Sequence, residues 1–190
     1  MRIITLLGLL IYFSSCNYDT NSKKTVLLDS NINKEIREIK YDYMAFDSVF
    51  INCQINTSTK LDSLIKVLGE PDTIIKYKDT FGFSGDPYSY VKFNNATFHL
   101  FDNGQAQLRT IQLDNYSICY KKFEFSNLTN FEQISKIFPN SYYHRDTITI
   151  GNENLVAIRL NTSNRATDSQ WIFLFFNNNL KYFNYFDGDD

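Results

Sequence analysis

Three cysteines and two histidines are the first candidates for nucleophilic or zinc-ligating chemistry: Cys16, Cys53, Cys119, His99 and His144. A Cys–His nucleophile needs a thiolate beside an imidazole base, and zinc needs three or four such ligands converging on one point. His99 alternates with Phe98 and Leu100 along a strand-like run, which predicts that it points away from them into solvent. His144 sits in Tyr-Tyr-His-Arg-Asp, residues 142–146. Neither has a second His, or a Cys, at ligand spacing, so no metal ligand, cofactor-binding residue or catalytic residue is assigned. In Val49-Phe-Ile-Asn-Cys-Gln-Ile55, Cys53 shares a strand face with Ile51 and Ile55, and cysteine is commonly buried. The favoured reading makes Cys53 a core residue; a Cys53–Cys119 disulfide is the alternative that an oxidising compartment permits. There is no phosphate-binding loop, dinucleotide fingerprint or nucleophile elbow, and the Asp and Asn clusters lack calcium-loop spacing.

The third cysteine has a different context. The chain opens Met-Arg2, then runs apolar from Ile3 to Phe13, then Ser14-Ser15-Cys16. That run is too short to cross a bilayer as a helix and has the length of a signal-peptide core. The segment resembles the lipobox of bacterial lipoproteins of the Bacteroidota type, with Phe13 where those usually carry an aliphatic residue. The resemblance implies a signal peptide over residues 1–15 and acylation (palmitate included) at Cys16. Several acyl chains on one residue anchor a protein firmly, where a single chain holds it only marginally. Residues 16–45 begin with a polar tether. Within them Asn31 to Tyr43 fits a short helix with Ile32, Ile36 and Ile39 inward, or a strand with Ile39, Tyr41 and Tyr43 aligned. Residue 17 is Asn, unlike the inner-membrane retention signal of enteric bacteria. Asp19 alone follows closely, unlike the acidic surface-export signals. The expected location is therefore the outer membrane, with the body in the periplasm.

Composition narrows the partners. The 190 residues carry 19 Lys and Arg against 21 Asp and Glu, with no basic run, so nucleic acid has no electrostatic footprint to bind. Aromatic residues are abundant, 17 Phe and 13 Tyr, and a chain of this size can bury a sizeable core.

Two stretches repeat. Thr59-Lys-Leu-Asp-Ser-Leu-Ile-Lys-Val-Leu68 matches Thr129-Asn-Phe-Glu-Gln-Ile-Ser-Lys-Ile-Phe138. Leu61, Leu64, Ile65 and Leu68 fall on one helical face, as do Phe131, Ile134 and Phe138. Thr59 and Thr129 are expected to cap the helices, and breakers follow at Gly69-Glu70-Pro71-Asp72 and Pro139-Asn140. Downstream, Phe98–Gly104 matches Ile172–Asn178, each a β-rich run ending in turn residues. The fold class expected is α+β: two tandem units, each one helix packed on an antiparallel sheet of about four strands. Unit one spans residues 46–115, with strands near 47–55, 73–78, 88–93, 96–101 and 106–113 and a helix over 59–68. Unit two spans 116–190, with strands near 117–125, 142–150, 154–161, 170–176 and 180–186 and a helix over 129–138. If Ile172 and Leu174 face the helix, Trp171, Phe173 and Phe175 share the other face, where they contact a partner or join the two units.

A helix ending Leu68-Gly-Glu-Pro-Asp72, followed by strands and a hairpin, is similar to small outer-membrane assembly lipoproteins of the SmpA/OmlA type. It also resembles the two-repeat β-lactamase inhibitor proteins. These resemblances cover residues 45–186 on short motifs and imply protein–protein binding without chemistry. The expected function is a membrane-anchored periplasmic protein-binding or envelope-scaffold module, attached through its lipid and engaging a protein partner. The alternative is an immunity protein that neutralises a toxin or hydrolase. A hydrolase using Cys53 or Cys119 is a third reading, and retained activity after Cys→Ser at both positions would remove it. Asp-Ser/Thr-apolar triplets at Asp47, Asp62, Asp72 and Asp146 resemble O-glycosylation acceptors of exported Bacteroidota proteins.

Overall fold

Alternation of apolar and polar residues dominates the chain from Val49 onward, and strands dominate the fold. The computed structural model describes residues 41–76, 89–165 and 167–188, all within the compact unit Glu38–Asp190. The expected signal peptide, Cys16 and the expected tether lie outside the described residues. In chain order the strands and helices are β1 (Val49–Ile51), β2 (Ile55–Asn56), β3 (Ser58–Lys60), α1 (Leu61–Leu68), β4 (Thr73–Lys76), β5 (Ser89–Phe93), β6 (Ala96–Leu100) and β7 (Gln105–Gln112). They continue with β8 (Ile118–Tyr120), β9 (Phe123–Phe125), α2 (Phe131–Ile137), α3 (Pro139–Tyr143), β10 (Asp146–Ile150), β11 (Glu153–Asn161), β12 (Gln170–Phe176) and β13 (Asn179–Phe186).

The α+β expectation is overturned. Strand takes 49% of the described residues and helix 17%, and the strands form two antiparallel sheets. The small sheet runs β2-β1-β8-β9 and the large one β10-β11-β12-β13-β7-β6-β5-β4, with β3 also on β7. The order of hairpin, helix and four-stranded meander does recur, but each sheet is shared between the two halves. They join where β1 pairs with β8 (Phe50 opposite Cys119) and where β13 pairs with β7 (Phe183 opposite Ile111). The physical reason is edge pairing. A lone meander leaves unpaired N–H and C=O groups along its last strand, and two such edges satisfy each other.

One core lies between the inner face of the large sheet and a second layer made of the small sheet and the helices. Leu64 and Ile134 from α1 and α2, Ile51, Ile118 and Phe125 from the small sheet, and Phe98, Ile111, Phe173 and Phe183 from the large sheet all belong to it. Phe125 touches Phe173 across the layers at a ring separation of 5.1 Å. Trp171, Phe173 and Phe175 point into this core on the helix side, and Phe131 of α2 lies 4.7 Å from Phe175. The face assignment conditional on Ile172 and Leu174 meeting the helix is thus reversed. Leu174 instead forms a small cluster with Leu155 and Ala157 on the outer face. Both faces of β12 are apolar, so alternation alone could not rank them.

The helix caps also differ from expectation. Thr59 is drawn into β3 opposite Ala106, and α1 starts two residues after it with no side-chain cap. Thr129 is buried and its hydroxyl accepts from the Ser126 amide at 2.9 Å. Asn130 caps α2 instead: its side chain accepts from the Gln133 amide at 3.1 Å, and the Gln133 side chain accepts from the Asn130 amide at 2.8 Å. Asn130→Ala removes one arm of this reciprocal box and is expected to lower stability by about 1 kcal/mol in urea unfolding; an unchanged midpoint would deny the cap its role. α2 does end at Ile137, just before the expected breaker, and Pro139 then opens the short helix α3, where its missing N–H costs nothing. Gly69 does end α1, at φ 88°, a conformation that residues with a Cβ avoid.

Candidate functional site

Across the outer face of the small sheet, antiparallel register sets Phe50, Cys119 and Glu124 side by side on β1, β8 and β9. Ile118, Tyr120 and Phe125 take the alternate positions and face the core. Short strands here keep one face buried and turn the other outward, as period-two geometry requires. The β1–β2 turn then brings Cys53 over the row. Its central residues, Asn52 and Cys53, have φ of 51° and 55°, and the Gln54 amide donates to the Ile51 carbonyl at 3.0 Å. Asn is at ease in that left-handed region; Cys is not.

Cys53 and Cys119 are joined in a disulfide with a Cα separation of 5.1 Å. The reading of Cys53 as a buried core residue is therefore corrected. Cys53 is exposed on its turn, and Cys119 is the buried partner, 7% exposed. The strand predicted through residue 55 breaks at residue 52, which takes Cys53 off the face of Ile51 and Ile55. Around the disulfide is an open depression of about 560 Å³ lined by Asp47, Phe50, Lys121, Lys122, Phe123 and Glu124 among others. The Glu124 carboxylate and both sulfurs lie within 4.8 Å of one another. In the disulfide state the sulfurs carry no thiolate charge and are poor metal ligands.

The histidines lie elsewhere. His99 is 5% exposed on β6, its ring 4.7 Å from Tyr90 and 6.5 Å from Phe101. The expectation of an exposed His99 is corrected: it does point away from Phe98, but aromatic neighbours cover it there. His144 is exposed at the end of α3, edge-on to Tyr143 at 5.0 Å. Neither lines the disulfide depression, so the structure pairs the two cysteines with each other and with neither histidine. Of the four acceptor-like triplets, Thr73 and Thr147 are exposed on β4 and β10, while Ser48 and Ser63 are half-buried.

Glu124, Lys121 and Lys122 were not singled out from sequence. Their signal is Cys119-Tyr-Lys-Lys-Phe-Glu124: a tight hairpin over Lys121-Lys122 sets Cys119 opposite Glu124. Lys121, at φ 54°, closes that turn. Each lysine ammonium also rests near an aromatic ring, 4.9 Å from Tyr120 and 5.5 Å from Phe123. Outside this site, burial pushes the Tyr116 and Tyr185 phenols upward, and a hydrogen bond to Glu153 raises Lys181.

No family model, curated protein or solved structure matches this chain. The resemblances drawn above rest on the quoted residues alone. Among the described residues no helix is long and apolar enough to cross a membrane.

Proposed function

We propose that the protein is exported, tethered to a membrane through acylated Cys16, and displays its β-rich body as a binding module in the envelope, engaging a protein or another envelope component. The observation that carries this reading is the Cys53–Cys119 disulfide. Disulfides persist in oxidising compartments, which is where the leader would deliver the chain. With those two cysteines joined, Cys16 is left over, at the position where the lipobox resemblance places the acylated residue. The depression beside the disulfide offers a rim for a partner: Phe50 and Phe123 supply apolar area and Lys121, Lys122 and Glu124 supply charge of both signs.

Cells labelled with a palmitate analogue should show the label on the wild-type chain and none on Cys16→Ala, which should leave the membrane fraction. Cys16→Ala remaining in membranes would end the lipid-anchor reading. Crosslinking from membranes with both forms tests the partner. A partner captured only by the anchored form supports an envelope scaffold; a toxin-like partner captured equally by both moves the assignment to an inhibitor.

A further inference from the structure

The disulfide is asymmetric in ways that a purely structural crosslink does not require. Cys53 stands exposed on a turn, held in a left-handed conformation at φ 55° that cysteine seldom adopts. Cys119 sits inside a strand paired on both sides, to Phe50 and to Glu124. The junction that the disulfide spans is also tied without it. Val49, Phe50 and Ile51 pair with Tyr120, Cys119 and Ile118. The Asn52 side chain accepts from the Ser117 amide at 2.9 Å, and the Asn52 amide donates to the Ser117 carbonyl at 2.9 Å. Breaking the sulfur–sulfur bond removes the covalent tie on Cys53 and leaves these hydrogen bonds and the strand register in place.

We propose that Cys53–Cys119 is a thiol–disulfide exchange site, with Cys53 Sγ as the sulfur attacked by an incoming thiolate and Glu124 as the restraint on the reaction. The incoming thiolate gives its electron pair to Cys53 Sγ. The sulfur–sulfur bond breaks, its pair leaves on Cys119 Sγ, and that thiolate takes a proton from water. Cys53 is left in a mixed disulfide with the incoming sulfur, which has been oxidised as Cys119 was reduced. A second thiol of the same class releases Cys53, or Cys119 attacks back and restores the starting state.

The charges of the depression bear on both ends of this step. Lys121 and Lys122 line the approach and favour an arriving anion. The Glu124 carboxylate, within 4.8 Å of both sulfurs, opposes negative charge spreading over them. Leaving-group thiols depart faster when their anion is stabilised, so removing the carboxylate charge speeds the exchange. The inference does not depend on lipid at Cys16, and its failure would leave the anchoring reading intact.

The oxidised full chain is incubated with reduced glutathione under native conditions, quenched with N-ethylmaleimide, and mapped by peptide mass. Mapping distinguishes Cys16 from the other two cysteines. The expected result is glutathione on Cys53 with alkylated Cys119, and reduction roughly threefold to tenfold faster in Glu124→Gln. With oxidised glutathione, Cys119→Ser should take up the adduct at Cys53, while Cys53→Ser should resist at Cys119. If glutathione fails and a soluble protein with an exposed Cys-x-x-Cys dithiol succeeds, the thiol comes from protein and the site stands. Reduction by either reagent only as fast as the chain unfolds in urea would overturn the proposal. So would adducts shared evenly between Cys53 and Cys119. A Glu124→Gln rate equal to wild type would remove Glu124 from it.

Discussion

Trp171→Ala, which truncates the largest fully buried side chain among the described residues, is expected to lower the unfolding free energy by about 4 kcal/mol. Trp171 is fully buried, and its ring stacks between Phe46 at 5.4 Å and Phe183 at 5.1 Å. Its Nε1–H donates to the Met44 carbonyl at 2.9 Å, tying the segment before β1 to β12, an interior strand of the large sheet. Truncation opens a cavity between flat rings that cannot collapse onto it, and it leaves the Met44 carbonyl without its donor. The cavity supplies most of the loss and the hydrogen bond about 1 kcal/mol of it. Trp171→Phe keeps much of the volume and loses the donor, so it should cost roughly half as much. Since Trp171 is the only tryptophan, the series is followed by far-ultraviolet circular dichroism in urea rather than by fluorescence. A loss below about 1 kcal/mol for the alanine variant would contradict the packing described.

The paired substitution Cys53→Ser with Cys119→Ser should cost about 2–4 kcal/mol while leaving the native fold in place. The crosslink joins residues 66 apart in sequence, a long closure in the unfolded chain. The native junction keeps its strand pairing and the apolar side chains of Ile51 and Ile118, both fully buried. Reductant should lower the wild-type urea midpoint and leave that of the double variant unchanged. Equal sensitivity of the two would mean that the disulfide does not form in solution. The same comparison bears on exchange chemistry, because a thiol-exchange pair is useful only if the reduced state remains folded.

Local patterning carried part of this fold. The face of α1 holding Leu61, Leu64 and Ile65 lies against the core as its spacing predicts. The Asp102-Asn103-Gly104 turn joins β6 to β7, and Asn177 and Asn178, at φ 48° and 71°, join β12 to β13. These are short-range effects of side-chain period and backbone freedom, and neighbouring residues suffice to set them. Where two local signals competed, the longer-range contact decided. Thr59 had the chemistry of a cap, but pairing with Ala106 on β7 satisfied its backbone and extended a strand instead. Cys53 had the spacing of a core residue, and a turn of two left-handed residues moved it to the surface.

The sequence by itself determined the places of α1 and α2, the strands β5, β6, β7, β11, β12 and β13 with the turns between β6 and β7 and between β12 and β13, the balance of charge, and a cysteine two serines beyond an apolar run. Those properties depend on residues within a few positions of one another. Only the tertiary structure decided that the last strand of one meander pairs with the last of the other, which replaces two expected units with shared sheets. It also decided which apolar face of β12 meets the helices, and that Cys53, Cys119 and Glu124 meet at one place. Each of those outcomes depends on unpaired edges and apolar faces finding partners far along the chain. That choice is made by the total hydrogen bonding and burial of the assembled layers, which no single segment encodes.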